Sequence, residues 1–584
     1  MSVTTAASAR VVADLPFLAA QLHDGRTAWR SPGADGFVDR SFTEVAEWVM
    51  DLASGLVHRG VAPGDRVAVL SETRPEWSAA GLAVLAAGGV VVPIYPSSAP
   101  EECAWILSDS GSVLLIAENA AQRAKVESIR AEVPSLREIV VIDEDLADVA
   151  SEGRTAPLPA ELDARRAAID PDSPSVIIYT SGTTGPPKGC VLTHTNWLTM
   201  CRLTEELSYV VPDDVVYLFL PLAHVYAQIV QLSALYVGAT LAFFGGDASR
   251  IVPELARVRP TFLPSVPRIF EKIYTAATAG IPEDQLKQAV HVGLTVRRLR
   301  AAGQPVPADL QAAFDQVDAV FARVRAIFGG RLRQALSGAA PISVEVLEFF
   351  SAAGVPVLEG YGMSESTGVG TVNTLGRHRL GTVGAFGMSG LELRIADDGE
   401  ILMRGPHVFA GYWNNPAATA AVLTDGWLHT GDLGEVDEDG FVKITGRKKD
   451  IIITAGGKNI APANVENQLR QSRWVSHAVV HGDRRPYLVA LITLDQDEIV
   501  PWAAERGLPT DIPSLATAPE VRELIQGVVD EANTHFARVS QIKRFAILDR
   551  DLTQDTGELT PTLKVKRNVV HTTHARAYEA LYED

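Results

Sequence analysis

Apolar and polar positions alternate along the chain in two periods. The runs DRVAVL, EWSAAGLAVLAAG and VVVPIY follow one another, and later SVLLIA, AQRAKVESIRAEV and REIVVI do the same. Short β-branched runs separated by helical patterns predict βαβ units, hence an α/β fold with parallel sheets flanked by helices. Two uncharged stretches test this reading. Residues 77–100 are broken by Gly88, Gly89, Pro93 and Pro96, which suits a buried helix followed by a buried strand. Residues 215–246 carry Pro221, His224, Gln228, Gln231 and Gly238, so helix–strand or strand–loop–helix–strand is expected rather than a span of about 20 apolar residues.

From about 275 to 329 the pattern turns Ala- and Arg-rich with apolar residues at helical spacing, as in QLKQAVHVGLTVRRLRAAG. A packed helical insertion is expected, with a membrane-surface face as the lesser reading. A charged run at 445–450, TGRKKD, separates a glycine-rich stretch from a region with its own apolar strands, SHAVVHG and YLVALITL. The domains are therefore drawn as 1–448 and 449–584.

The 584 residues exceed one compact unit, and 47% hydrophobic with 21% charged residues is ordinary globular composition. A net charge of -19 argues against nucleic acid as the main partner. Three cysteines without a CxxC pair argue against a disulfide framework or structural zinc and point to a reducing cytosol. The opening MSVTTAASARVVADLPF lacks a basic-then-apolar leader, so no secretory signal is expected.

Candidate chemistry begins at TSGTTGPPKG, residues 180–189, directly after the apolar run Ser175–Tyr179. Small residues let backbone fold closely round phosphate, hydroxyls donate, and Lys188 brings charge. Pro186 and Pro187 remove two backbone donors and disfavour entry into a helix, so this is no GxxxxGK[ST] loop. Further strings follow in order: PLAHVYA (221–227), SGAAP (337–341), EGYGMSESTG (359–368), HTGDLG (429–434), GRKKDIIITAGGKNIAP (446–462) and GELTPTLKVKR (557–567). Together with the phosphate loop they resemble the signature of the adenylate-forming superfamily of acyl-CoA synthetases, luciferases and peptide-synthetase adenylation domains. FLPLAHVYA, SVPRIFEKIY, the helical insertion and LTPTLKVKR are most similar to long-chain fatty acid–CoA ligases, resembling actinobacterial enzymes.

That resemblance implies a large first domain of parallel-sheet and helix layers plus a distorted β-barrel, and a small mobile α+β second domain. It implies ATP, Mg²⁺ and coenzyme A (as co-substrate), with a fatty acid converted to acyl-AMP and then acyl-CoA. It implies that Thr180, Ser181, Gly182, Thr183, Thr184 and Lys188 hold the β- and γ-phosphates, and that Glu365 with Thr180 stands at the metal. Tyr361 is expected to stack on adenine, with Gly338, Ala339, Ala340, Glu359 and Gly360 along its edges and Gly362 in the same motif. Ser364 stands where relatives have threonine and keeps the hydroxyl for the α-phosphate. Asp432 is expected to accept from both ribose hydroxyls and Arg447 to contact the ribose region.

Lys564 matches the lysine that bridges carboxylate and α-phosphate, although Lys564, Lys566 and Arg567 also read as a solvated basic face. Leu563 stands where most relatives have glycine. Lys449 falls on the hinge about which the small domain rotates, and Gly456 and Gly457 would let the swung loop approach the pantetheine channel. His224, placed at a strand end, matches a residue that positions or gates near the carboxylate, with Tyr226 or Gln228 as the aromatic-gate neighbourhood. Cys190 reads as a small buried residue, since no cysteine nucleophile is required. A fatty acyl-AMP ligase loading a carrier protein, and a ligase-like uptake or binding protein at the membrane surface, stay open as alternatives. Acyl chain length, gate identity and oligomeric state are not legible. The expected setting is the cytoplasm, with peripheral contact at the inner face of the membrane left open.

Overall fold

The computed structural model describes residues 5–34, 36–180, 186–456, 458–560 and 563–583. Runs such as Val90–Ile94, buried at every position, become interior strands of a largely parallel sheet. Among the described residues this sheet has seven strands; Arg66–Leu70, Val90–Ile94, Leu114–Ala117 and Glu138–Val141 run parallel, and Pro174–Thr180 joins them. The latter strand returns antiparallel as Lys188–Thr193, pairing Thr180 with Lys188, so the prolines at 186 and 187 precede a strand. Among the described residues a second sheet has eight strands, with Val215–Leu218, Thr240–Phe243, Phe262–Ser265, Gln334–Ser337 and Val357–Tyr361 as parallel neighbours. Residues 215–246 thus form strand, loop, helix and strand. Among the described residues, no helix is long and apolar enough to cross a membrane.

A smaller antiparallel sheet carries Trp427–Val436 against Val442–Arg447, in a register that places Asp432 opposite Arg447. The helical insertion begins earlier than its composition suggested: Pro267–Thr278 is already helix, ahead of Glu283–Ala301 and Ala308–Ile327. Proline at the first helical position explains the start, because its missing N–H has no partner there in any case. Val292, Val296, Phe314, Phe321 and Val324 turn inward and join the main core. Gly293 permits that approach, as a Cβ there would lie 2.8 Å from the Ala352 Cβ.

A separate core forms beyond Asp450. Val475–His481, Leu488–Leu494 and Ile542–Ile547 make a three-stranded sheet. One face packs on Val465, Leu469, Ile525 and Val529, the other on Leu552, Leu559, Val570 and Tyr578. The segment leading to Lys564 is anchored by Glu558, which is fully buried. It takes Arg550 on both oxygens at 2.6 and 2.9 Å and His574 at 2.7 Å. Although burial opposes its charge, Arg550 and its other partners hold its pKa down at about 2. A buried carboxylate so paired stays ionised and fixes the base of the segment.

Candidate active site

The ends of these sheets and the C-terminal region enclose one cavity of about 2690 Å³. Single small-molecule pockets span roughly 300–1,000 Å³, so this one accommodates more than one substrate. Thr180, Lys188, His224, Gly338, Ala339, Ala340, Glu359, Gly360, Tyr361, Gly362, Ser364, Glu365, Asp432, Arg447, Lys449 and Lys564 all line it. The expected Ser181, Gly182, Thr183 and Thr184 lie outside the described residues, as does Gly457.

The Asp432 carboxylate is buried, and each of its oxygens accepts one hydrogen bond. Tyr361 Oη donates at 2.6 Å and Arg447 Nε at 2.8 Å. Each oxygen keeps further lone-pair capacity, which suits a diol presented from the cavity. Burial opposes the charge on Arg447, yet Asp432 outweighs it and raises the guanidinium pKa. Burial, then Asp432, push the Tyr361 phenol far above its usual range, so it remains a donor. The turn bearing Asp432 is braced from below, where buried Glu400 accepts from Gly431 N at 2.8 Å and meets His429 at 3.1 Å and Lys448 at 3.2 Å.

Gly362 is required by close packing, since a Cβ there would lie 2.2 Å from the Gly368 carbonyl oxygen. That contact folds the chain so that the 3-10 turn Ser364–Ser366 presents Glu365. Tyr412 donates to Glu365 Oε1 at 2.7 Å, and Lys188 lies 5.2 Å from the centre of the Tyr412 ring. No motif in the sequence points to Tyr412; its place comes from the short strand Gly411–Tyr412, which pairs antiparallel with Lys188–Thr193 and sets Tyr412 opposite Cys190, two residues from Lys188. Among the described residues no group of three or more His, Cys, Asp or Glu could hold a metal by itself. One buried carboxylate, Glu365, and the Thr180 hydroxyl, both lining the cavity, form a donor set that fits a hard cation carried mainly by phosphate and water oxygens.

His224 is not at a strand end. It caps the helix Val225–Val237, its Nδ1 accepting the Tyr226 N–H at 3.2 Å, because the loop after Val215–Leu218 continues six residues before turning helical. Burial, then Lys564, lower its pKa to about 3, so the ring is neutral. With Nδ1 accepting, the proton sits on Nε2, which makes His224 a donor. Tyr226 lines the cavity and donates to Leu336 O at 2.8 Å, whereas Gln228 is buried against Leu222 O at 3.0 Å and is not a lining residue. Beside His224 an apolar branch is lined by Met200 and Leu203 on the helix His194–Glu206, by Leu207 at its C-terminal cap, and by Val225, Ile229 and Val230 on the next helix. Cys190 is buried, and burial, then Glu365, drive its thiol pKa far up, which makes it an inert filler.

Lys564 projects into the open cavity yet is walled in by protein. Desolvation, then Arg447, lower its pKa, with Asp432 and Glu365 opposing. Its position comes from a hairpin: Leu559 pairs with Val565, Lys566 N donates to Glu558 O at 2.7 Å and Thr560 N to Lys564 O at 2.8 Å. Leu563 has φ +59°. A branched residue in this left-handed region costs about 1–2 kcal/mol.

At the rim, ion pairs join the helix Pro267–Thr278 to the C-terminal region. Arg268, in Pro267–Thr278, pairs with Asp495, and Lys272 lies 3.7 Å from Asp497. Glu271, three residues on from Arg268 in the same helix, is raised in pKa by burial against the pull of Arg470 and Arg268.

Residues 18–413 match the family model of AMP-binding enzymes, and 449–584 match the AMP-binding enzyme C-terminal domain. A long-chain-fatty-acid–CoA ligase of Mycobacterium tuberculosis is 41% identical over 568 residues, covering 94% of this chain and 92% of that protein. The peroxisomal long chain acyl-CoA synthetase 7 of Arabidopsis thaliana is 31% identical, covering 96% and 84%. The adenylation domain of a carboxylate reductase from Mycobacterium chelonae superposes with a TM-score of 0.78 at 22% identity, covering 99% and 93%, a likeness of fold. With both domain models matched and two-fifths identity across nearly the whole length, the chain belongs to the AMP-binding enzyme family, among the long-chain-fatty-acid–CoA ligases.

Proposed function

We propose that the protein activates a long-chain fatty acid as its acyl-adenylate, releasing pyrophosphate, and then transfers the acyl group to coenzyme A with loss of AMP. The observation that carries this reading is the convergence of Lys564, Glu365, Asp432 and Arg447 in one cavity, with neutral His224 where its polar part meets an apolar branch.

A carboxylate is a poor acyl donor, because oxide would have to leave. Attack of its oxygen on the α-phosphorus of ATP makes AMP the leaving group and expels pyrophosphate. The two reactants are both anions, so the barrier is largely electrostatic. Asp432 and Tyr361 hold the ribose and base, Arg447 supports Asp432, and Lys188 neutralises the polyphosphate. Lys564 brings its ammonium between carboxylate and α-phosphate, and the His224 Nε2–H orients the carboxylate. Glu365, steadied by Tyr412, and Thr180 would hold Mg²⁺, which when bound supplies further positive charge at the phosphates. In the second step the coenzyme A sulfur attacks the acyl carbon and AMP departs; a thiol of pKa about 8.5 supplies enough thiolate near neutrality.

Lys564 lies more than a hundred residues beyond Lys449, so withdrawing it for the second step calls for rotation of the C-terminal region about that residue. The three buried free cysteines favour a reducing, cytoplasmic setting. The test is a screen of fatty acids of graded length for pyrophosphate release, with and without coenzyme A. Acyl-CoA and AMP in equal amounts are expected with long chains. Pyrophosphate release with hydroxamate trapping but no acyl-CoA would replace this reading by transfer to a carrier protein.

A further inference from the structure

Two anomalies coincide at Leu563. Its backbone lies at φ +59°, and its side chain is 62% exposed, the highest value among the large exposed hydrophobic residues. The backbone conformation follows from the hairpin. Three residues separate Thr560 from Lys564, Leu563 N donates to Thr560 O at 2.8 Å, and Lys564 N donates to Thr560 Oγ1 at 3.0 Å. Three-residue hairpin loops place their last residue in the left-handed region, where glycine or asparagine is favoured. The chain puts a branched aliphatic side chain there and leaves it in the cavity. Among the described residues no buried apolar cluster takes in this side chain, and residues so strained cluster where a ligand contact makes them useful.

Of the three reactants proposed above, only the acid brings methylene groups to the point Lys564 serves. Lys564 acts electrostatically on His224, at the head of the helix whose Val225, Ile229 and Val230 line the apolar branch. The adenine end already has the Tyr361 ring, and the remaining nucleotide is polar. We propose that Leu563 is a specificity-determining residue that covers the acyl methylenes next to the carboxylate during adenylation and excludes substituents on them. The inference rests on the adenylating reading of the site.

The test compares hexadecanoate with 2-methylhexadecanoate by acid-dependent pyrophosphate release in the full-length protein. In L563A and L563N the branched-to-straight ratio of kcat/KM rises about tenfold, the scale of one methyl group in a fitted pocket. L563M keeps an apolar cover and stays within twofold of the parent ratio. Asparagine fits the left-handed backbone and alanine does not, so agreement between those two variants assigns the effect to the side chain. A ratio unchanged in all three variants, or L563N altering both acids equally, overturns the inference. Wild-type protein that releases no pyrophosphate with either acid overturns instead the reading on which it rests.

Discussion

The contact between Arg268 and Asp495 predicts that the two half-reactions can be separated by a mutation outside the nucleotide site. Asp495 is about 10% exposed and Arg268 39%, so the pair lies between an exposed ion pair, worth at most about 1 kcal/mol, and a buried one, whose breaking costs about 3–5 kcal/mol. A loss of about 1–2 kcal/mol follows, or roughly 5- to 30-fold in the population that brings Lys564 to the cavity. Lys272–Asp497 is more exposed and adds little. D495N is the suitable change, because Asp495 also caps the helix Gln496–Ala504 by accepting from Asp497 N at 3.2 Å, and an amide oxygen preserves that bond. The assay is kcat/KM for pyrophosphate release at low ATP and acid, set beside thioester formation from supplied acyl-AMP. The first should fall 5- to 30-fold and the second hold or rise; R268Q with D495N should be no worse than either alone. Equal loss in both steps, or additive loss in the double variant, would refute a cross-domain contact that favours the adenylating arrangement.

Replacing Lys564 with alanine should lower acid-dependent pyrophosphate release by about 100- to 1,000-fold, the scale of one lost charge-stabilising donor, while thioester formation from acyl-AMP stays within a few fold. Y412F removes the 2.7 Å bond to Glu365, and a hydrogen bond to a carboxylate is worth about 1.5–3 kcal/mol; the KM for magnesium–ATP should rise about tenfold or more, read by titrating magnesium at fixed ATP. Burial raises the Glu359 pKa to about 7, against a weak opposing bond from Gly381 N. The unfolded carboxyl ionises near 4.3, so the folded protein binds the extra proton between those values and loses stability as pH rises through them. E359Q should therefore gain on wild type from pH 4.5 to 7, by on the order of 3 kcal/mol, and level off above; a pH-independent gap in urea denaturation would refute the buried, protonated carboxyl.

What the sequence determined by itself was the chemistry and the local elements. Alternating β-branched and helical runs specify buried parallel strands because burial and period act over a few residues, and the ordered motifs name Thr180, Lys188, Glu365, Asp432, Arg447 and Lys564, which meet in the cavity, but not polar lining residues outside those motifs such as Arg268 and Glu271. Asp432 and Arg447, fifteen residues apart, were legible as a pair of ligands but not as partners, since only the antiparallel register sets them opposite each other. The sequence places His224 at a strand end, because residue type does not reveal where a loop yields to a helix. Tyr412 and the Arg268–Asp495 contact were invisible for a different reason. Their partners are 47 and 227 residues distant, and such pairings arise only when separately folded layers close on one another. Leu563 shows both levels at once: its identity is read directly from the chain, but its strain and exposure exist only once the hairpin has formed in the cavity.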